Sequence, residues 1–178
     1  MSEPQIIKSS VFTDTRGFFS EVLKEYESRQ INMSWSIGGT FRGIHAQRLM
    51  DKAMWLGSGE ATIFAVNLDP SSALFGQVLK EDMKAGDGKV FYAPWWWGRG
   101  FLAKTDCTVI YATTDVYRPE HEIAISYLGL PDIKDAIEKS RLNLVISEKD
   151  QKSLDINGGL ETIANWKRAG DQIAAELE

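Results

Sequence analysis

Short stretches of alternating apolar and polar residues dominate the first two thirds of the chain. Residues 52–56 (KAMWL) and 61–68 (ATIFAVNL) predict two strands joined by a hairpin turn at 57–60 (GSGE). Residues 101–117 (FLAKTDCTVIYATTDVY) predict two further strands around a Thr-Asp turn. Turn residues recur at intervals of roughly 8–12 residues, without long helical patterns between them. This spacing favours an all-β barrel or sandwich over a parallel α/β sheet.

The N-terminal part of the chain mixes strand and helix patterns. Residues 5–12 (QIIKSSVF) predict a strand, and residues 14–19 (DTRGFF) predict a turn into a further element. Apolar residues recur at helical spacing within 20–31 (SEVLKEYESRQI), which predicts a short helix. The stretch 32–47 (NMSWSIGGTFRGIHAQ) alternates again around a pair of glycines, and it predicts strands joined by a turn.

The pattern changes after Pro119. Residues 130–140 (LPDIKDAIEKS) fit a short helix or a loop, and residues 160–177 have the spacing of an amphipathic helix. Such a helix would pack its apolar face on the barrel or on a partner. We therefore expect one domain over residues 1–178, in which residues 157–178 form a C-terminal helical extension.

Composition and charge narrow the functional classes. The chain has 178 residues, of which 43% are hydrophobic and 25% charged, which suits one sizeable core. Its net charge of −5 predicts neither a nucleic-acid nor a membrane partner. The first residues, MSEPQIIKSS, lack the order of a signal peptide, and no apolar run approaches the roughly 18–20 residues of a membrane span. Because its one cysteine, Cys107, cannot form an internal disulfide, we expect a cytoplasmic protein.

Three consecutive tryptophans, Trp95, Trp96 and Trp97, stand out in the stretch 92–101 (YAPWWWGRGF). Neighbouring side chains on a strand point to opposite faces, so one core cannot bury all three. At least one of them should meet solvent, a partner subunit or a ligand. A packed interface and a ligand-stacking surface are both consistent with this pattern.

Metal and nucleophile chemistry find little support in the sequence. The two histidines, His45 and His121, lie in separate segments, whereas a metal site in a barrel of this size needs several neighbouring ligands. No Gly-Lys-Ser/Thr follows the turn GSGEA, and no Gly-x-Ser-x-Gly motif occurs. We therefore expect neither a metal nor another cofactor.

Proton transfer is the chemistry that remains. A single imidazole such as His45 can act as a general base if a carboxylate holds it and a cation stabilises the oxyanion that it generates. Lys52, seven residues after His45, could supply the cation. Tyr111 and Tyr117 would share one face if both lay in one strand. A structural histidine, a solvated lysine and core tyrosines are alternatives that these residues alone leave open.

Six segments, in this order, resemble motifs of the dTDP-4-dehydrorhamnose 3,5-epimerase family, the cupin-fold sugar-nucleotide epimerases. They are RGFFSE (16–21), QINMS (30–34), RGIHAQ (42–47), KAMWLGSGEATIFAVNLDPSSALFG (52–76), YATTDVYRPEHE (111–122) and ISEKD (146–150). The matches extend from about residue 12 to residue 153. The resemblance implies a mostly β, cupin-type jelly-roll barrel or sandwich, to which the pattern adds a few short helices and a C-terminal helix.

The resemblance also implies a substrate and a set of roles. The substrate would be a nucleotide-linked 4-keto-6-deoxy sugar, epimerised at C3, C5 or both without a metal. His45 would remove a proton beside the ketone, supported by Asp150. Lys52 would stabilise the enolate, Tyr111 would return a proton from the opposite face, and Tyr117 would line the same pocket. The residues implied to hold the nucleotide and the sugar are Arg16, Phe19, Glu21, Gln30, Asn32, Arg42 and Gln47.

Several positions depart from the family pattern near the sugar. Arg99 stands where the family has a histidine; it could still bind phosphate or the ketone oxygen, but it cannot shuttle protons. Ala46 replaces the tyrosine beside His45, and residues 126–132 lack the usual Asn-Asp-Pro. A related keto-sugar isomerase and a sugar-nucleotide-binding protein without turnover are therefore alternatives. The family's usual assembly is a homodimer with an exchanged or shared N-terminal strand, and we expect one here.

Overall fold

The computed structural model describes the backbone of residues 3–176 and the side chains of residues 3–168. The strands are, in chain order, β1 (Gln5–Lys8), β2 (Val11–Asp14), β3 (Gly17–Ser20), β4 (Gln30–Ser36), β5 (Phe41–Gln47), β6 (Lys52–Ser58), β7 (Glu60–Asn67), β8 (Val78–Lys84), β9 (Lys89–Ala93), β10 (Trp97–Ala103), β11 (Cys107–Thr113) and β12 (Glu122–Ala124). The helices are α1 (Pro131–Ser140), α2 (Glu148–Gln151) and α3 (Leu160–Glu176), with single 3₁₀ turns at Pro119–His121 and Tyr127–Gly129.

Two five-stranded sheets form a sandwich, and their strand pairs are antiparallel. The first sheet has the order β1-β9-β6-β11-β4, and the second has the order β12-β5-β10-β7-β8. β2 and β3 form a separate hairpin. The predicted turn at 57–60 joins β6 to β7, and the predicted Thr-Asp turn joins β10 to β11. The predicted mostly β sandwich with short helices and a C-terminal helix is confirmed.

The second sheet is buried on both faces. On β7, Ile63 and Phe64 are both 0% exposed although neighbouring side chains point to opposite faces. Ile63 belongs to a cluster between the sheets, whereas Phe64 belongs to a second cluster that includes Ile133 of α1 and Ile163 of α3. The helices therefore cover the outer face of this sheet, which accounts for the nearly continuous apolar sequence of β7.

The first sheet is open on its outer face along β4. Ile31, Met33 and Trp35 are 64%, 74% and 60% exposed. The alternate residues of the same strand, Asn32 and Ser34, line the interior of the sandwich instead. The period of two along β4 thus places polar side chains inside and large apolar side chains in contact with solvent.

The helices follow their local signals. α1 begins with Pro131 at its first turn, and Ile133 and Ile137, one turn apart, are its buried residues. This settles residues 130–140 as helix rather than loop. α3 confirms the predicted C-terminal helix through residue 176, whereas residues 177 and 178 lie outside the described part. Between residues 3 and 176, the structure contains no helix whose length and apolar character would let it cross a membrane.

The helix predicted over residues 20–31 is wrong. Residues 21–29 form an irregular connection, and β4 begins at Gln30. Glu25 has a φ of 55°, which a helix cannot contain, and the Tyr26 ring packs edge-on against Tyr92 of β9 with 6.5 Å between centroids. A tertiary contact overrides the helical spacing here. The strand predicted over 5–12 is two strands, β1 and β2, in different sheets.

Candidate active site

Two adjoining cavities of about 280 and 330 Å³ lie between the sheets. Both are lined by His45 of β5, Lys52 of β6 and Tyr111 of β11. The first extends towards Asp150 and the second towards Glu122. Three of the four predicted catalytic side chains therefore come from strands of both sheets and meet in one interior space.

The fourth, Asp150, is brought to His45 by the short helix α2. His45 Nε2 lies 2.7 Å from Asp150 Oδ1, although 105 positions separate the two residues in the sequence. The Asp150 backbone N–H donates to Ser147 Oγ at the start of α2. This cap fixes the helix, and the helix places the carboxylate.

The protonation states of this pair follow from its surroundings. Burial alone would raise the pKa of the Asp150 carboxyl, but the hydrogen bond and the charge of His45, with further hydrogen bonds from Ser147 and Gly43, lower that pKa below its usual value. An ionised carboxylate can only accept, so His45 donates from Nε2–H. In the neutral imidazole the lone pair is therefore on Nδ1, and Nδ1 is the basic atom.

Lys52 is an amine held among charged side chains where water has little access. Its Nζ lies 5.3 Å from the centroid of the Tyr111 ring. Burial is the main cause that lowers the pKa of Lys52 to about 7; the nearby Arg99 lowers it further, and Glu122 opposes the shift. An ammonium that is this poorly solvated interacts strongly with any negative charge that forms beside it.

Tyr111 lies on the first sheet, whereas His45 lies on the second, so the base and the phenol are on opposite walls. Burial raises the pKa of the Tyr111 hydroxyl, and Glu122 adds to the shift while Arg42 opposes it. The phenol is therefore protonated at neutral pH and can serve as an acid. Tyr117 lies beyond the end of β11, so the two tyrosines are not on one strand.

Glu122 and Lys149 complete the polar cluster, and the sequence analysis assigned neither of them a role. Glu122 Oε1 lies 3.8 Å from His45 Nδ1 and 2.9 Å from Lys149 Nζ. Burial would raise the pKa of Glu122, but hydrogen bonds with Lys149 and Tyr117 and the nearby His45 lower it. Both residues lie inside the quoted motifs, but the pairing of β12 with β5 and the ion pair from α2 are what bring them to His45.

Six of the nine predicted binding residues line this interior. Gln30, Asn32, Gln47 and Tyr117 line the larger cavity, and Arg42 and Arg99 line the smaller one. Gln30 ties two of the others together, because its Nε2 donates to Asn32 Oδ1 at 2.7 Å and its Oε1 accepts the Tyr117 N–H at 2.9 Å. The structure therefore places a ring of amide donors and acceptors around the catalytic groups.

Most of the hydrogen-bond donors of Arg99 are already used by backbone carbonyls and are not available to a ligand. Its Nη1 donates to the carbonyls of Pro94, Trp95 and Trp97 at 3.0, 3.3 and 2.9 Å, and its Nη2 donates to that of Met50 at 3.1 Å. The residue is 3% exposed, and burial lowers its pKa to about 10. Substrate binding by Arg99 stays a prediction, for which Nε–H is the donor that lacks a partner among the described residues.

Arg16, Phe19 and Glu21 are not brought into the cavity of their own chain. Arg16 pairs with Asp14 on the β2–β3 hairpin and its side chain is 87% exposed. Phe19 is 64% exposed on the same hairpin, and Glu21 pairs with Lys24. Within one chain, all three residues are therefore absent from the lining of the two cavities.

The three tryptophans divide between core and surface. Trp97 is 3% exposed and packs between the sheets. Trp95 and Trp96 are half-buried, stand edge to face at 5.5 Å, and line a separate cavity of about 520 Å³. The prediction that one core cannot bury all three is confirmed. Among the described side chains, no group of three or more His, Cys, Asp or Glu residues has the arrangement of a metal site.

Comparisons with known proteins identify the family of the chain. The family model for dTDP-4-dehydrorhamnose 3,5-epimerase matches residues 1–157. The dTDP-4-dehydrorhamnose 3,5-epimerase of Methanothermobacter thermautotrophicus is 32% identical over 162 residues, which cover 82% of this chain and 85% of that protein.

Solved structures give the same result. The crystal structure of dTDP-4-dehydrorhamnose 3,5-epimerase from Sulfolobus tokodaii is 31% identical, with a TM-score of 0.77 over 86% of this chain and 90% of that one. That of dTDP-6-deoxy-D-glucose-3,5-epimerase from Legionella pneumophila, in complex with dTDP-4-keto-L-rhamnose, is 27% identical, with a TM-score of 0.76 over 86% and 88%. The resemblance in the sequence motifs is confirmed, and the chain belongs to the dTDP-4-dehydrorhamnose 3,5-epimerase family.

Proposed function

We propose that this protein epimerises a nucleotide-linked 4-keto-6-deoxy sugar at C3, at C5 or at both, through an enolate and without a cofactor. The observation that carries the proposal is the 2.7 Å contact between His45 and Asp150 in a cavity that Lys52 and Tyr111 also line. A protein that only held a nucleotide sugar would have no use for a base, its carboxylate, an ammonium and an opposed phenol together.

Proton removal is the first step. A ketone acidifies the hydrogens on the neighbouring carbons, which brings them within reach of an imidazole base. His45 Nδ1 takes the proton, the C–H electrons move into the enolate, and Asp150 stabilises the resulting imidazolium. The enolate oxygen then lies beside the Lys52 ammonium, whose pKa of about 7 rises as negative charge develops next to it.

Proton return inverts the carbon. Tyr111 lies on the wall opposite to His45, so the proton that it gives reaches the other face of the planar enolate. The O–H bond of Tyr111 breaks, the new C–H bond forms, and the enolate electrons return to the ketone. Because the proton leaves from one face of the carbon and another arrives on the opposite face, the configuration of that carbon is inverted, which is an epimerisation.

The identity of the nucleotide is suggested by the relatives. The relative from Legionella pneumophila was solved with dTDP-4-keto-L-rhamnose, and the family carries a dTDP-sugar name. We therefore propose a dTDP-linked sugar, held by the amides of Gln30, Asn32 and Gln47 and by Arg42.

We further propose a homodimer. The apolar side chains Ile31, Met33 and Trp35 are exposed along β4, and a second copy that covers them would remove a large hydrophobic area from water. If the β2–β3 hairpin of one protomer reached the cavity of its partner, Arg16 and Phe19 would meet the substrate there. Met33→Glu should then give a monomer in analytical ultracentrifugation, whereas a wild-type monomer would contradict the assembly.

Deuterium exchange tests the activity directly. We would incubate the protein with dTDP-4-keto-6-deoxyglucose in D₂O and follow the sugar signals by NMR, with and without EDTA. Deuterium at C3 and C5 supports double epimerisation, and deuterium at C3 alone supports the narrower activity. EDTA should leave the rate unchanged. A product with a moved keto group would favour an isomerase, and binding without deuterium entry would contradict the proposed function.

A further inference from the structure

Every inversion leaves two residues in the wrong protonation state. This inference rests on the proposed function. His45 has gained the proton taken from the sugar, and Tyr111 has lost the proton that it gave. One proton must therefore leave the imidazolium, and one must reach the phenolate, before the next substrate can react. The two residues lie on opposite walls, so a bound substrate separates them.

We propose that Glu122 is the relay through which His45 releases its proton to solvent, by way of Tyr117. Glu122 Oε1 lies 3.8 Å from His45 Nδ1, and the Glu122 side chain is 9% exposed. Tyr117 lines the same cavity as Glu122, helps to lower the pKa of the Glu122 carboxyl, and is 45% exposed. A row of proton-carrying groups thus leads from the half-buried base to the surface.

The geometry fits a relay better than a resting hydrogen bond. Asp150 occupies Nε2, so Nδ1 carries the lone pair that takes the sugar proton. In the resting state Nδ1 and the Glu122 carboxylate are both acceptors, and two acceptors do not bond, which fits the 3.8 Å separation. Once Nδ1 is protonated, the pair becomes oppositely charged, and a small ring movement closes the gap.

The neighbouring charges keep Glu122 able to accept. Lys149 Nζ lies 2.9 Å from Glu122 Oε1, so the carboxylate is ionised before the proton arrives. Transfer from an imidazolium to such a carboxylate is uphill, so Glu122 holds the proton only in passing. The titratable and charged groups that line the two cavities around His45 are Asp150, Lys149, Glu122, Tyr117, Lys52, Tyr111, Arg42 and Arg99.

Lys52 can carry the proton that restores the Tyr111 phenol. The Lys52 ammonium lies against the Tyr111 ring and titrates near neutral pH. It can pass a proton from the cavity water to the phenolate and regain one from solvent. The N–H bond of Lys52 breaks as the O–H bond of Tyr111 forms, so the cycle balances without any further reactant.

Glu122→Gln separates this role from a structural one. We expect kcat in weak buffer to fall about tenfold or more, while C–H cleavage in a single turnover with excess enzyme stays within about threefold of wild type. Added imidazole should restore kcat, because a small base can enter the open cavity and take the proton. Glu120→Gln, an equal charge change on an exposed neighbouring residue, is the control and should behave like wild type.

Three outcomes would overturn the relay. Unchanged kcat in Glu122→Gln would show that the proton leaves by another path, and equal losses in kcat and single-turnover rate without imidazole rescue would show a structural or tuning role. If Glu122→Gln does not fold, Tyr117→Phe takes its place, and a kcat loss that imidazole does not restore contradicts the path. An inactive wild type would instead contradict the proposed function, from which the relay follows.

Discussion

A half-buried polar cluster and a more deeply buried one lie side by side at this cavity, and they use their hydrogen bonds in opposite ways. In the reactive cluster of His45, Lys52 and Tyr111, the Lys52 amine and the Tyr111 hydroxyl have no hydrogen-bond partner among the residues that the structure describes. In the supporting cluster, Arg99 donates to four backbone carbonyls. Asp51 accepts from the Tyr92 hydroxyl at 2.6 Å and from the Trp95 N–H at 2.9 Å.

The difference teaches that burial and charge do not identify a catalytic residue by themselves. Arg99 and Lys52 are both cations whose pKa burial lowers, to about 10 and to about 7. Arg99 donates from Nη1 to the loop that carries the tryptophans and from Nη2 to the Met50 carbonyl, so it holds the backbone in place. Lys52 keeps its donors free for a charge that arrives with the substrate.

His45→Gln should have the largest effect on activity. It removes the base, so we expect epimerase activity to fall about 10²–10⁴-fold with the fold retained. The measurement is the steady-state rate together with a thermal unfolding curve. His121→Gln is the matched control, because it removes the other histidine outside the cavity, and it should keep wild-type activity. Equal losses of activity in both variants would contradict a specific catalytic role for His45.

Lys52→Met should lower kcat/KM about 10²–10³-fold, because the enolate loses its fixed cation. The same change should stabilise the fold by about 1–2 kcal/mol at neutral pH, because an ammonium no longer has to be desolvated. A loss of activity without a gain in melting temperature would show that Lys52 is better solvated than its surroundings indicate.

The stabilisation expected from Lys52→Met should depend on pH, which gives a second test. The unfolded chain holds the Lys52 proton up to the ordinary value of 10.5, whereas the folded chain releases it near 7. Between these values the unfolded state binds more protons, so the wild-type contribution to stability rises with pH. The advantage of Lys52→Met should therefore be full below about pH 7 and vanish towards pH 10.5. Scanning calorimetry at three pH values would show it, and a constant advantage would contradict the assignment.

Arg99→Met should have the opposite effect to Lys52→Met: a large loss of stability and a small loss of activity. Four carbonyls lose their donors, so we expect the free energy of unfolding to drop by about 3 kcal/mol, while kcat/KM falls less than about tenfold. Urea titration and steady-state kinetics on the same sample measure both effects. A large loss of activity in a stable protein would instead place Arg99 on the substrate.

Tyr92→Phe should have the smallest effect. It removes the hydroxyl that donates to Asp51, which should cost about 1–2 kcal/mol of stability with activity within about twofold of wild type. A fall in activity larger than the fall in stability would mean that the supporting cluster also takes part in the reaction.

The sequence predicted those features that depend on local periodicity. Period-two alternation gave most of the strands, and the quoted motifs contained His45, Lys52, Tyr111 and Asp150, which the fold brings to one cavity. The prediction of a helix over residues 20–31 was wrong, because the packing of Tyr26 on Tyr92 outweighs the helical spacing of the apolar residues. The homodimer, the single-domain organisation and the cytoplasmic location stay predictions.

Contacts between distant segments could not be predicted. Glu122 meets His45 because β12 pairs with β5, and Lys149 reaches Glu122 because α2 folds back over that edge. The carbonyl partners of Arg99 depend on how the loops between strands close. No spacing rule within one segment contains this information.

Deuterium entry catalysed by Asp150→Asn is the most direct measurement of the reactive pair. An asparagine can still accept the His45 Nε2–H, so the geometry survives while the charge is lost. We expect the rate of deuterium entry into dTDP-4-keto-6-deoxyglucose to fall at least about 10²-fold, with dTDP affinity unchanged and the fold retained. The melting temperature should fall slightly, because the fold loses a carboxylate whose pKa it lowers. Deuterium entry at the wild-type rate would contradict proton transfer by a carboxylate-supported imidazole.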